Sequence, residues 1–236
     1  MQRVLVINPN TTAAVTDRVV SACAAAQPQL RWDGVTAAFG APYIASEASY
    51  TVAGHAVLEA YDRHFAAHDV VLIACFGDPG LMALRELAAV PVLGLAESSF
   101  AAAAALGRFS VVTGGTAWGP MLQRFARMHQ LDAQLCGIHT VELTGAQIAA
   151  HPQQATDLLC AACDQGIAAG AQHILIGGAA LTGLAVELQP RFAVPLLDNV
   201  VLAAAAVAAA LAQAACGGSP QVPGATAAAD TAPSRR

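Results

Sequence analysis

Lysine is absent from the chain. A Walker-type phosphate loop is therefore excluded, because it needs a lysine on the terminal phosphates, and no G-x-G-x-x-G run signals a dinucleotide site. Charge of either sign is scarce: 11% of the 236 residues are charged, and the formal net charge is −5. Without a basic cluster nothing attracts a polyanion, and nucleic acid is not expected as a partner. Long apolar runs are missing as well. The best candidate, residues 200–215, is too short and too rich in alanine to span a bilayer, so no membrane segment is expected. Six cysteines (Cys23, Cys75, Cys136, Cys160, Cys163, Cys216) are too sparse for a secreted disulfide scaffold. The sequence opens directly on the strand-like run Arg3-Val4-Leu5-Val6-Ile7, and a reducing cytoplasm is the expected setting. Neither H-E-x-x-H nor G-x-S-x-G occurs, which leaves metal catalysis and serine-hydrolase chemistry without support.

What remains is a hydrophobic content of 56%, much of it alanine, which suits close-packed helices. Short β-branched runs alternate with longer alanine-rich stretches, the pattern of a parallel sheet covered by helices. Strands are expected at residues 3–7, 32–38, 70–74, 91–94, 110–113, 135–140, 173–176 and 195–197. Helices are expected at 12–26, 48–66, 79–88, 98–106, 117–129, 152–169, 183–191 and 200–215. Residues 217–236, rich in Gly, Pro, Ser, Thr and Ala, read as a disordered tail.

The halves resemble one another. Asn8 matches Thr113, Cys75 matches Gly178 and Val90 matches Val194, at spacings of 105, 103 and 104 residues. Three nearly equal spacings in the same order argue for duplication. The fold class is accordingly α/β, with two similar parallel-sheet βα halves and a site in the cleft between them. Residues 1–97 plus about 200–216 would form the first half, and 98–199 the second. Loops at strand C-termini carry ligands in parallel sheets, so the cleft should gather the segments around Asn8, Cys75, Thr113 and Gly178.

Cys75 ends a buried strand in Ala74-Cys75-Phe76-Gly77-Asp78-Pro79-Gly80. Asp78 is a suitable N-cap and Pro79 a suitable first helical residue, so a helix N-terminus is expected within a turn of the sulfur, favouring thiolate. A thiolate there can accept a proton or act as a nucleophile; equally, free cysteine often simply packs. Asn8, Asn10, Thr11 and Thr12 can hydrogen-bond a carboxylate or imide, or can build a turn and cap the helix. Thr113-Gly114-Gly115-Thr116 repeats that device in the second half. Cys160 and Cys163 form C-x-x-C inside an expected helix, with no strand leading in and no second pair, so packing is their expected role.

Residues 7–12, the Cys75 segment, Val111-Val112-Thr113, Trp118-Gly119-Pro120-Met121-Leu122, Leu184-Ala185 and Pro195-Leu196-Leu197-Asp198 together resemble the aspartate/glutamate/hydantoin racemases, most closely the hydantoin and allantoin racemase branch. The resemblance runs from residue 3 to about 210. It implies two α/β halves related by pseudo-twofold symmetry, no cofactor or metal, a small-molecule substrate and a homo-oligomer. It also implies one cysteine from each half facing the substrate α-carbon, one removing the proton and the other returning it. By that analogy Cys75 is the first cysteine. Asn8, Asn10, Thr11, Phe76, Gly77, Asp78, Thr113, Gly114, Gly178 and Ala179 would surround the substrate.

The chain departs from that pattern at one decisive place. The branch shows G-C-A-G after the later strand, where this sequence reads Gly177-Gly178-Ala179-Ala180. Three outcomes stay open: another group such as His139, Thr113 or water fills the gap; Cys75 acts on one face only, as in a decarboxylase or isomerase; or the protein binds a small cyclic amide without turnover.

Overall fold

The computed structural model describes residues 1–142 and 150–216; the expectation for residues 217–236 lies outside the described residues. Strands β1 (Arg3–Asn8), β2 (Arg31–Thr36), β3 (Val70–Ile73) and β4 (Val92–Gly94) form a parallel sheet in the order β2-β1-β3-β4. Strands β5 (Phe109–Gly114), β6 (Leu135–Val141), β7 (His173–Gly177) and β8 (Leu196–Asp198) form a second, in the matching order β6-β5-β7-β8. The duplication expected from the sequence is thus a duplication of sheet topology.

Each central strand is buried on both faces, which is why β1, β3, β5 and β7 read as nearly continuous hydrophobic runs. Alternation still assigns the faces. Val4, Val6, Val111 and Leu175 point into one shared core with side chains of α1 (Ala13–Ala26), α4 (Leu95–Leu106), α5 (Trp118–Met128) and α8 (Asn199–Cys216). Leu5, Ile7, Val71 and Ile73 point the other way, under α2 (Glu47–His64) and α3 (Leu81–Leu87). Val112, Ile174 and Ile176 do the same under α6 (Pro152–Ala168) and α7 (Leu184–Leu188). The alanine excess goes largely into α4 and α8, whose small side chains let them pack closely between the sheets.

Three helices differ from expectation. The helix expected at 98–106 starts earlier, at Leu95. The helix after Cys75 starts at Leu81 rather than Pro79, with Gly80 at φ +79° as its N-cap. The stretch 183–191 divides into α7 and a 3₁₀ turn, Gln189–Arg191, because Pro190 has no N–H for a continuing ladder.

Strand register makes the equivalences between halves explicit. Ile73 lies between Ile7 and Gly94, and Ile176 lies between Val112 and Asp198. Cys75 and Gly178 therefore occupy matching places, each two residues past the matching isoleucine. Gly94 likewise matches Asp198, and Leu95 matches Asn199. Leu95 and Asn199 are both fully buried, yet neither amide atom of Asn199 has a partner among the described residues. A buried unpaired amide costs about 1–3 kcal/mol. Asn199→Leu, which copies the first half, is expected to raise stability by about that amount in urea denaturation; a loss of stability would show that the amide is satisfied.

Candidate active site

The C-terminal ends of β1, β3, β5 and β7 meet where the two halves touch. The Phe76 ring is buried and crosses onto Gly177 of the second half, occupying the space a side chain there would need. It also packs on Phe100 at 5.6 Å between centroids. Arg18 of α1 donates to the Ala180 carbonyl at 2.7 Å, and Arg124 of α5 pairs with Glu47 of α2 at 2.7 Å. These contacts bring the Cys75 loop against the Gly177–Gly178 loop.

Cys75 itself is only 7% exposed. Its loop turns back tightly, with the N–H groups of Gly77 and Asp78 both donating to the Cys75 carbonyl at 3.0 Å. The helix start comes later than expected, at Leu81, six positions beyond Cys75. Burial, reinforced by the nearby charge of Asp78, pushes the Cys75 thiol well above its ordinary range. Burial thus works against the thiolate expected from the sequence.

Asp78 also departs from expectation. It does not cap α3: it is 3% exposed, at φ +54°, and reaches sideways to α4. Its two carboxylate oxygens accept from the N–H groups of Ala96 and Glu97 at 2.8 and 2.7 Å. The carboxylate fills the space beside Gly94 that a side chain there would occupy. Burial raises the Asp78 pKa to about 7, with the two N–H bonds pulling the other way. Asp78 braces the Cys75 loop against α4.

Asn8 is another correction. Fully buried, its amide nitrogen approaches Asn10 Oδ1 at 3.0 Å and Thr16 Oγ1 at 3.0 Å, and its oxygen accepts from the Asn10 N–H at 3.2 Å. Asn8 builds the loop and has little left for a substrate. Asn10 and Thr11 stay partly open at the loop tip. Thr12 is the N-cap of α1 by position, but its hydroxyl donates to the Pro42 carbonyl at 2.9 Å instead of capping.

In the second half Thr113 is 3% exposed, and its hydroxyl oxygen lies 3.6 Å from where a Cβ on Gly178 would stand. A hydroxyl thus fronts Gly178. Gly178 has φ +123°, a conformation that side-chain-bearing residues rarely adopt, so its loop is shaped for glycine. Ala179 is buried in a short 3₁₀ turn, where its carbonyl accepts from Thr182. His139 does not fill the gap: it registers with Val112, whose side chain faces α6, away from the shared core. Phe76 and Ala179 are both buried, at 4% and 8% exposed.

Two tyrosines escaped sequence reasoning. Tyr43 donates to the Gly114 carbonyl at 3.1 Å and Tyr50 to the Gly77 carbonyl at 2.8 Å. Gly77, at φ +151°, threads between Tyr50 and the Trp118 ring with no room for a side chain. Burial first, then the neighbouring Asp78 and Cys75 charges, push Tyr50 up to about 12; burial, Glu142 and Cys75 push Tyr43 in the same direction. The available signal was compositional: the chain holds only three tyrosines, and two flank the start of α2. Cys160 and Cys163 lie on α6, Cys163 fully buried, consistent with packing. Among the described residues no group of three or more His, Cys, Asp or Glu could hold a metal ion, and no helix is long and apolar enough to cross a membrane.

Residues 4–207 match the family described as Asp/Glu/Hydantoin racemase. The chain is 31% identical over 203 residues to a hydantoin racemase of Pseudomonas sp. (strain NS671), covering 84% of this chain and 82% of that one. It is 32% identical over 210 residues to a hydantoin racemase of Paenarthrobacter aurescens, covering 84% and 86%. The crystal structure of allantoin racemase from Pseudomonas fluorescens superposes with a TM-score of 0.86 at 26% identity, covering 91% of this chain and 92% of that one.

Proposed function

The chain is a racemase of the Asp/Glu/hydantoin racemase family, and from that premise we propose that it acts without a cofactor on hydantoin- or allantoin-like cyclic amides, with Cys75 moving the proton at the carbon alpha to a carbonyl. The observation that carries this reading is the placement of Cys75 at the end of β3, against the matching loop of the other half. The hydantoin racemase relatives and the allantoin racemase fold support the substrate class.

In the proposed reaction the Cys75 thiol first loses its proton to solvent hydroxide, leaving a thiolate and water. The thiolate then takes the α-proton, and the C–H electron pair moves into the carbonyl to give an enolate. In this reading Asn10 and the Thr113 hydroxyl would donate to the enolate oxygens. Reprotonation by Cys75 restores the starting enantiomer. Inversion needs delivery from the Gly178 side, where the Thr113 hydroxyl or water must serve instead of a thiol. A positioned acid or base is worth roughly 10²–10⁴-fold. Exchange at the α-carbon therefore outruns inversion.

The test is incubation of single enantiomers of allantoin and 5-substituted hydantoins in D₂O, followed by NMR and polarimetry. Deuterium should enter roughly 10²-fold faster than optical rotation is lost. Equal rates would overturn the single-thiol account, and no exchange with either substrate class would overturn the whole reading. Because burial holds the thiol high, only a small fraction is thiolate at neutral pH. The exchange rate should climb about tenfold per pH unit on the alkaline side until Cys75 ionises.

A further inference from the structure

The segment 37–46, between β2 and α2, belongs to the first half but is fastened to both. On its own side, Ala37 N–H donates to the Asn8 carbonyl at 2.9 Å, Thr11 N–H to the Ala41 carbonyl at 3.1 Å and Thr12 Oγ1 to the Pro42 carbonyl at 2.9 Å. Across the cleft, Tyr43 donates to the Gly114 carbonyl at 3.1 Å, and the Trp118 indole N–H donates to the Ile44 carbonyl at 2.9 Å. The segment ends at Ser46, where a Ser46–Ser49 capping box starts α2 and fixes the far anchor. A strap therefore lies between the loop of Asn10 and the loop of Thr113.

We infer that Tyr43 is a positioning residue: it latches this strap over the cleft, holds the Thr113–Gly114–Gly115 loop opposite Cys75, and keeps water from the thiol. Three features of the structure make the latch specific. The Gly114 carbonyl belongs to the last residue of β5, next to Thr113, so the bond acts directly on the loop that fronts Gly178. A Cβ on Gly115 would stand 3.1 Å from the Tyr43 oxygen, so the turn leaves just the room that the phenol takes. Burial first, then the Glu142 carboxylate, which accepts from the Thr116 N–H at 2.9 Å, oppose ionisation of Tyr43, keeping the phenol a neutral donor.

Among the described residues two neutral hydrogen bonds tie the strap to the second half, whereas its hold on the first continues into β2 and α2. Releasing those two bonds opens a path to Cys75 while both sheets stay intact. The kinetic consequence rests on the function proposed above; the accessibility of Cys75 does not.

The experiment is Tyr43→Phe in the full chain, with iodoacetamide labelling of each cysteine followed at fixed pH by peptide mass spectrometry. One neutral hydrogen bond corresponds to roughly three- to tenfold in an opening equilibrium. Labelling of Cys75 should accelerate by about that factor, with the buried Cys23 and Cys163 unchanged. Trp118→Phe, which frees the Ile44 carbonyl, should act in the same direction. With a racemase substrate, kcat should fall by a similar factor with KM changed less. Unchanged labelling at Cys75 overturns the latch, and so does equal acceleration at Cys23 and Cys163, which would mean general loosening. If the protein exchanges no α-proton at all, the function fails while the labelling result still decides the latch.

Discussion

Cys75→Ala is expected to lower α-proton exchange by about 10²–10⁴-fold, to the level of uncatalysed exchange in the pocket. Cys160→Ala and Cys163→Ala should leave it within a factor of about two, since a packing residue remote from the chemistry changes stability and not the barrier. The contrast follows from where the three sulfurs sit. Cys75 stands at the junction of the two halves, beneath Tyr43 and Tyr50. Cys163 packs under the second sheet with Leu159 and Ile174, and Cys160 is half-buried on the same helix, near Arg191. Cys163→Ala should cost on the order of 1 kcal/mol by loss of buried volume, visible in denaturation and not in turnover. Parent-level exchange in Cys75→Ala would remove the thiol from the mechanism entirely. Cys75→Ser refines the point, because a hydroxyl in this buried place ionises even less readily than a thiol. It should behave like alanine.

The fold was legible because its signals are local and repeated. Alternation in Val4-Leu5-Val6-Ile7, alanine-rich stretches and nearly constant spacings between halves each reflect a physical rule that holds without tertiary context. The place of Cys75 and its counterpart Gly178 was legible for the same reason. What the sequence hid was the direction in which polar side chains turn. Asp78-Pro79 reads as a helix start, yet Gly80 adopts the left-handed conformation and delays α3, freeing Asp78 to cap α4, sixteen residues farther along. Asn8 and Phe76 sit in the expected loops but turn inward, one to build the loop and one to join the halves. Tyr43 and Tyr50 belong to a segment without any local motif, and their partners, Gly114 and Gly77, are backbone carbonyls that no side-chain pattern announces. A helix start was expected to favour the Cys75 thiolate; α3 begins later than expected, and burial works against ionisation.

The second large effect is expected at the pair Asp78 and Gly94. Both halves tie the N-terminus of a central helix with one carboxylate, but the carboxylate comes from opposite ends of the connection. In the first half Asp78 reaches over Gly94 to the N–H groups of Ala96 and Glu97. In the second, Asp198, standing at the place of Gly94, accepts from the N–H groups of Val200 at 2.8 Å and Gly183 at 2.7 Å. Asp78→Gly alone removes a buried cap that accepts from two backbone N–H groups and should cost about 2 kcal/mol, partly offset by relief of its positive φ. Gly94→Asp alone places a side chain on the Asp78 carboxylate and buries a second negative charge. Overpacking and unpaired charge together should cost more than about 3 kcal/mol. The double variant recreates the arrangement of the second half and should be more stable than either single one, a favourable coupling read from urea denaturation midpoints. Strict additivity would sink the equivalence. A pH series gives an independent reading. With the folded Asp78 pKa pushed up to about 7 and an unfolded value of about 3.9, the folded state holds this proton more tightly. Its stabilising contribution is full below the unfolded value and is lost as pH rises toward the folded one. The parent should therefore lose stability between about pH 4 and pH 7 through this group, and Asp78→Gly should flatten that part of the curve.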